Sequence, residues 1–206
     1  MQQVAVYVDG FNLDHGLRDR GWRRYYWLDL RKMATKLLAP HQRLAVVHYF
    51  TARVMSEPTD PRKPDRQAAY LEALETLPDV RIHFGRYARR WRRCRACGAR
   101  WLTYEEKLTD VNVAVELLCD AQDNVFDSAI VVSADGDLAG LVGAIPTRFP
   151  AKRVVVAFPP GRHSAGLRQA AAASLSVGRQ VLRDSQLPRR VTTAQGHVVT
   201  RPQEWR

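Results

Sequence analysis

Val4-Ala5-Val6-Tyr7-Val8-Asp9-Gly10 is a short, unbroken apolar run, rich in β-branched residues, that stops at an Asp-Gly pair. Such a run predicts a strand buried on both faces, as in a parallel sheet covered by helices on either side. Helical and strand periods then alternate. Residues 28–38 are expected to be helical, with Leu30, Met33, Leu37 and Leu38 on one stripe, and residues 44–50 read as a strand. A helix over 66–77 and a strand over 80–84 follow. Further on, a helix over 105–121 carries Val111, Ala114, Val115 and Leu118 at helical spacing; a strand over 129–132, a helix over 138–149 and a strand over 154–158 complete the pattern. Strands separated by helices need crossover connections. The expected fold class is therefore α/β, a three-layer sandwich with a central, mostly parallel sheet. An Arg-rich excursion over 85–104 is expected to form an inserted hairpin. The main domain is expected over residues 1–187, and from about Pro188 apolar periodicity is lost among Arg189, Arg190 and Arg201. Residues 188–206 are expected to form a basic, mobile tail.

The chain has 206 residues, 46% of them hydrophobic, enough to bury a core and to exclude disorder. No apolar run approaches the ~20 residues of a membrane span, so no membrane partner is expected. Met1-Gln2-Gln3 leads directly into the first strand without a basic leader, and a cytoplasmic protein is expected. With 32 Lys+Arg against 21 Asp+Glu the net charge is +11, which concentrates polyanions, nucleic acid first among them. Since 27 of the basic residues are Arg, the same charge can also reflect composition and solubility alone.

The acids fall at telling positions. Asp9 follows the first strand, and Asp135 and Asp137 follow the strand ending Val131-Val132-Ser133. In an open parallel sheet, ligands bind beyond the carboxyl ends of the strands, where residues distant in sequence converge. Asp110 lies near the start of the preceding helix, and Val113, Ala114 and Leu117 put its side of that helix toward the core. Clustered carboxylates repel one another unless a cation lies between them, and hard divalent ions such as Mg²⁺ or Mn²⁺ suit oxygen ligands. Such ions serve phosphoryl-transfer chemistry. Taken singly, each acid has a plainer reading: Asp-Gly is common turn chemistry, and Asp135 can simply cap a helix.

Val6-Tyr7-Val8-Asp9-Gly10-Phe11-Asn12, the stretch Tyr104-Glu105-Glu106-Lys107-Leu108-Thr109-Asp110-Val111-Asn112-Val113-Ala114, and Ser133-Ala134-Asp135-Gly136-Asp137 occur in this order. The ordered set resembles the NYN domain family of PIN-like nucleases over roughly residues 3–182. The resemblance implies a PIN-like sheet and a metal-dependent ribonuclease, with Asp9, Asp110, Asp135 and Asp137 as the acidic cluster and a 5′-phosphate product. It also implies that Asn12 fixes the metal or its water, that Ser133 supports the site by a hydrogen bond, and that Lys107 faces the phosphate. Asp14 lies beyond the matched motif and reads as a surface residue near the mouth.

Residues 85–101 hold Arg86, Arg89, Arg90, Arg92, Arg93, Arg95 and Arg100 without one acid, interleaved with Tyr87, Trp91 and Trp101. Guanidinium groups track phosphates while aromatic faces stack bases, a mixture that suits single-stranded RNA. Arg89, Arg90, Trp91, Arg92 and Arg93 are the candidate substrate contacts. A second mixture, residues 18–27, joins Arg18, Arg20, Arg23 and Arg24 to Trp22, Tyr25, Tyr26 and Trp27. For either stretch the plain alternative is a solvated charge run with its aromatics in the core. Cys94-Arg95-Ala96-Cys97-Gly98 has the spacing of a zinc knuckle but is half a site. His83, a distant histidine or a second subunit would have to complete a Zn²⁺ site, so a homo-oligomer stays open; the alternative is two free thiols at a tight turn. Cys119 reads as a small core residue, and His48 as a satisfied core histidine.

The sequence as a whole predicts a Mg²⁺- or Mn²⁺-dependent (endo)ribonuclease. The competing reading is a non-catalytic RNA-binding or regulatory module on the same fold. An enzyme for small phosphoesters is a third, which the extended basic track disfavours.

Overall fold

The computed structural model describes residues 1–56 and 59–205, with backbone alone at 89 and 103–106. In chain order the elements are β1 (Gln2–Asp9), α1 (Gly10–Asp19), α2 (Leu30–Leu37), β2 (Gln42–Thr51), α3 (Lys63–Leu74), β3 (Val80–Phe84), β4 (Arg86–Arg93) and β5 (Arg100–Lys107). There follow α4 (Thr109–Gln122), β6 (Ser128–Val132), α5 (Ala139–Arg148), β7 (Arg153–Phe158), α6 (Ala165–Ala170), β8 (Ala173–Ser176), α7 (Arg179–Arg183), β9 (Arg190–Thr192) and β10 (Val198–Thr200).

Six strands form the central sheet in the order β3-β2-β1-β6-β7-β8, and every neighbouring pair is parallel. The α/β sandwich expected from the crossover pattern is the fold. β1 shows why its apolar run is unbroken. Val4, Val6 and Val8 enter a core shared with α1, α2, α3 and α7. Ala5 and Tyr7 enter the opposite core, with Val113, Leu117 and Ala121 of α4, Val142 and Ile145 of α5, and Leu167 of α6. A strand covered on both faces has no polar side to show. From β1 the chain winds outward through β2 and β3, then crosses back to β6 on the other side. The junction of β1 and β6 is thus the topological switch point, where the strand ends open a crevice.

Several elements depart from expectation. α1 carries only Leu13 and Leu17 as large buried residues; the rest of its inner face is Gly10 and Gly16, which hydrophobic periodicity does not register. Both glycines are forced by proximity. A Cβ on Gly10 would lie 2.7 Å from the Phe50 carbonyl oxygen, and one on Gly16 would lie 2.9 Å from that of Pro160. The helix expected from residue 105 begins at Thr109, because the residues before it belong to β5. The stripe Val111, Val115 and Leu118 is exposed rather than inward; α4 is apolar on two sides, and Val113, Leu117 and Ala121 are the ones that meet the sheet. Cys119, expected in the core, is exposed for the same reason.

The segment from Pro188 is corrected from mobile tail to folded structure. β9 and β10 pair antiparallel, and each contributes one buried valine, Val191 and Val199, to the first core. Trp205 packs edge-on against Tyr26 and Tyr70, with ring centroids 5.5 and 6.0 Å apart. The buried Trp27 donates its indole N–H to the Pro188 carbonyl at 2.7 Å. Strands with one inward residue each are too short for alternation to stand out in sequence.

Candidate metal and nucleic-acid site

Asp9 sits at the switch point, 4% exposed, with both carboxylate oxygens engaged. It caps α1: Oδ1 accepts the Asn12 backbone N–H at 3.0 Å. Oδ2 accepts Asn12 Nδ2 at 2.7 Å and the Ser133 hydroxyl at 2.8 Å. Ser133, fully buried at the end of β6, in turn accepts the Asp135 N–H at 3.0 Å. One hydroxyl therefore ties the two strand ends together across the crevice. Asp135 caps the following 3-10 turn by accepting the Asp137 N–H at 3.1 Å. Asp135 is thus the cap its plain reading makes it, Asp9 caps α1 as well, and the Ser133 hydroxyl joins the two. Burial raises the Asp9 carboxyl pKa; the bonds from Asn12 and Ser133 oppose that rise, and the nearby negative charge of Asp135 adds to it.

Asp137 is exposed on the same turn, whose Leu138 packs in one core with Val113 and Leu117 of α4. Asp110, expected on the inner side of α4, is exposed on its first turn. That turn lies at the carboxyl edge of the sheet, because Asn112 Nδ2 donates to the carbonyl of Phe84, the last residue of β3, at 3.3 Å. All four acids stand at one edge. Among the described residues, however, they do not bring three carboxylate oxygens within 4.8 Å of one another; the one group of three candidate ligands at that spacing is His48, His83 and Glu116.

Asn12 serves Asp9 and the opposite wall. Its Oδ1 faces the Ala134 N–H at 3.4 Å and accepts Arg162 Nε at 3.2 Å. Arg162 is a site residue that sequence reasoning missed, on the loop after β7 that Gly16 lets approach α1. Its signal was position, since a loop following a parallel strand ends at the same edge as Asp9.

The hairpin β4–β5 forms with Arg92 opposite Trp101 and Trp91 opposite Leu102. Trp91 is 70% exposed and Trp101 46%, so these aromatics are not core residues. Arg90, Arg92, Arg93 and Lys107 are exposed as well, while the side chain of Arg89 lies outside the described residues. Tyr87 stands edge-on to Phe11 at 5.8 Å, docking the hairpin base beside the carboxyl edge. The second basic-aromatic stretch behaves oppositely: Tyr25 and Trp27 are buried, and the core reading holds there.

A cleft of about 710 Å³ opens beside α1, lined by Gly10, Asp14, Arg18, Tyr26, Thr51, Lys63, Tyr87 and Trp205 among others. Crowding by its walls raises the Asp14 carboxyl pKa; Arg18 and His15 oppose the rise.

At the hairpin turn the backbone N–H groups of Cys97 and Ala96, then the Cys97 thiol, point at Cys94 and lower its thiol pKa. His83 does not complete this pair. It faces the sheet interior, its Nε2 2.8 Å from His48 Nδ1 and its Nδ1 3.3 Å from Glu116 Oε1. Burial lowers the His83 pKa, against the pull of Glu116. His48 Nε2 lies 2.9 Å from Asp120 Oδ2, off the line of a good hydrogen bond. The same oxygen accepts the Tyr7 hydroxyl at 2.6 Å. Burial would raise the Asp120 carboxyl pKa, but the adjacent His48 nitrogen and the Tyr7 hydroxyl outweigh it and leave that pKa below its usual range.

A central parallel sheet between layers of helices is the PIN-like sandwich, and the NYN domain model matches residues 3–177. The chain belongs to the NYN domain family. It is 30% identical over 172 residues to a protein named 6-hydroxy-3-succinoylpyridine 3-monooxygenase HspA from Pseudomonas putida (strain DSM 28022 / S16), covering 66% of this chain. That stretch is 53% of the Pseudomonas protein, so the chain spans about half the length of the curated relative it matches. A solved structure, a Vibrio parahaemolyticus protein of unknown function, superposes with a TM-score of 0.56 at 22% identity, covering 90% of this chain and 96% of its own. Among the described residues, no helix is long and apolar enough to cross a membrane.

Proposed function

We propose that the chain is a Mg²⁺- or Mn²⁺-dependent ribonuclease acting on single-stranded RNA. The observation that carries this is the meeting of Asp9 and Asp135 at the switch point through a single buried hydroxyl, Ser133. A cap alone does not require a carboxylate buried beside a second negative charge. The donors are all oxygen, as hard cations prefer. Asp9 and Asp135 would hold the ion directly, with Asp110 and Asp137 reaching it through water. What the ion supplies when bound is a lowered pKa for a water molecule and positive charge against the phosphate.

The chain's own groups do the rest. Ser133 and Asn12 favour the ionised Asp9 carboxylate against its burial and fix its orientation. Asn12, itself anchored by Arg162, keeps its amide directed at Asp9. Arg162 and Lys107 supply positive charge for the phosphate, and Arg90, Trp91, Arg92 and Arg93 present a basic, aromatic surface for the strand. Membership of the NYN domain family supports the same chemistry. The monooxygenase name belongs to a protein matched over half its length, and no residue described above requires that activity here. The reading to be separated from catalysis is a non-catalytic RNA-binding module on the same fold.

The test is cleavage of labelled single-stranded RNA by the purified chain in Mn²⁺, Mg²⁺ or EDTA, beside Asp9→Asn and Asp135→Asn. Metal-dependent cleavage lost in Asp135→Asn, with fold and RNA binding retained, supports the nuclease. Tight binding without cleavage in either metal supports the binding module instead.

A further inference from the structure

We propose that His48 and His83, on neighbouring strands, and Glu116 of α4 form a binding site for a first-row divalent transition ion of the zinc type, separate from the acidic edge and independent of the nuclease reading. One ligand atom from each of the three lies within 4.8 Å of the other two. His48 Nδ1 is 2.8 Å from His83 Nε2 and 3.8 Å from Glu116 Oε2. Ligands of a tetrahedral ion at about 2.0–2.2 Å stand about 3.3 Å apart, so these two separations each lie within about half an ångström of what an ion requires.

The hydrogen count favours an ion. Three contacts run in series: Asp120 to His48, His48 to His83, and His83 to Glu116. Each needs a proton, and two imidazoles bring only two unless one of them carries a third as its charge. If both face their carboxylates, the ring nitrogens 2.8 Å apart oppose lone pair to lone pair. If one proton lies between the rings instead, a carboxylate is left against a bare nitrogen. An ion accepting both lone pairs resolves this without a further proton. It leaves His48 Nε2–H for Asp120 and His83 Nδ1–H for Glu116 Oε1, with Oε2 free to ligate.

The surroundings match a ligated histidine, whose second nitrogen ordinarily faces a carboxylate that is itself held. Asp120 fills that role, fixed by the buried Tyr7 hydroxyl. Two imidazoles and one carboxylate select borderline transition ions over Mg²⁺ or Ca²⁺. The His48 side chain is fully buried, while those of His83 and Glu116 are 19% and 32% exposed, which leaves a fourth position open toward solvent. An ion here joins β2, β3 and α4, and so fixes the helix whose first turn carries Asp110.

The experiment uses the full chain with Cys94→Ser and Cys97→Ser, so that the hairpin thiols do not capture metal. After chelator treatment it is titrated with Zn²⁺ by calorimetry and with Co²⁺ by visible absorption, and melted with and without Zn²⁺. One ion per chain is expected, with tetrahedral Co²⁺ bands and a melting temperature that rises with Zn²⁺. His83→Gln is expected to weaken Zn²⁺ at least 100-fold and to abolish that rise, and Asp120→Asn to weaken it about 10- to 100-fold. Glu116→Gln, at a partly exposed position, serves if His83→Gln does not fold. Unchanged affinity in His83→Gln or Glu116→Gln, or no ion bound by the parent, overturns the site. Loss of binding in Asp9→Asn instead places the ion at the acidic edge and equally overturns it.

Discussion

Ser133→Ala removes the one hydroxyl that donates to Asp9 and accepts from Asp135, at a position with no solvent access. A hydrogen bond to a charged acceptor contributes about 1.5–3 kcal/mol, so a loss of about 2 kcal/mol is expected at pH values where Asp9 is ionised. For a chain of this size that lowers the melting temperature by about 4–8 °C. The loss should depend on pH. Burial already raises the Asp9 pKa in the folded state, so Asp9 takes away stability as pH rises through that elevated range. Without Ser133 the folded-state pKa rises further, and the variant loses more over the same rise. At acid pH, with Asp9 protonated in both proteins, the deficit shrinks toward the about 1 kcal/mol of a neutral pair. The assay is urea unfolding of both proteins across the acid range, with RNA cleavage measured alongside. The acid limb of the cleavage profile should move upward in pH in the variant. A deficit that does not change with pH, or an unmoved acid limb, would refute the assigned role.

Gly10→Ala should destabilise the fold by about 1–3 kcal/mol, because its Cβ would meet the Phe50 carbonyl at 2.7 Å and the Tyr49 ring at 2.8 Å; urea titration measures it. Trp91→Ala should leave the melting temperature unchanged, the side chain being 70% exposed, while weakening single-stranded RNA about 5- to 150-fold in a filter-binding titration. Unchanged affinity would remove the hairpin from the RNA surface. Ending the chain after Leu187 should cost about 3 kcal/mol or more, since Val191 and Val199 each bury a side chain worth about 1.5 kcal/mol or more. A truncated protein melting with the full chain would return that segment to a dispensable tail.

The layered sheet was legible from local pattern alone. Val4 to Val8 is apolar at every position because both of its faces are buried, a local pattern that no long-range packing has to supply. The placement of Asp9 and Asp135 at strand ends was legible for the same reason: once the strands are parallel, their carboxyl ends share an edge. Which face turns inward and which partner it meets were settled by packing. α4 is apolar on two sides, and its inward choice of Val113 and Leu117 over Val115 and Leu118 is set by the sheet it meets. Asn12 was legible beside Asp9, but that Arg162 of the β7 loop donates to its oxygen was settled by packing. His48 and His83 are 35 residues apart and become neighbours through the β2–β3 register, while Glu116 and Asp120 reach them from across the layer. Periodicity records how a segment meets its surroundings on average; a constellation drawn from three elements exists only after they have packed.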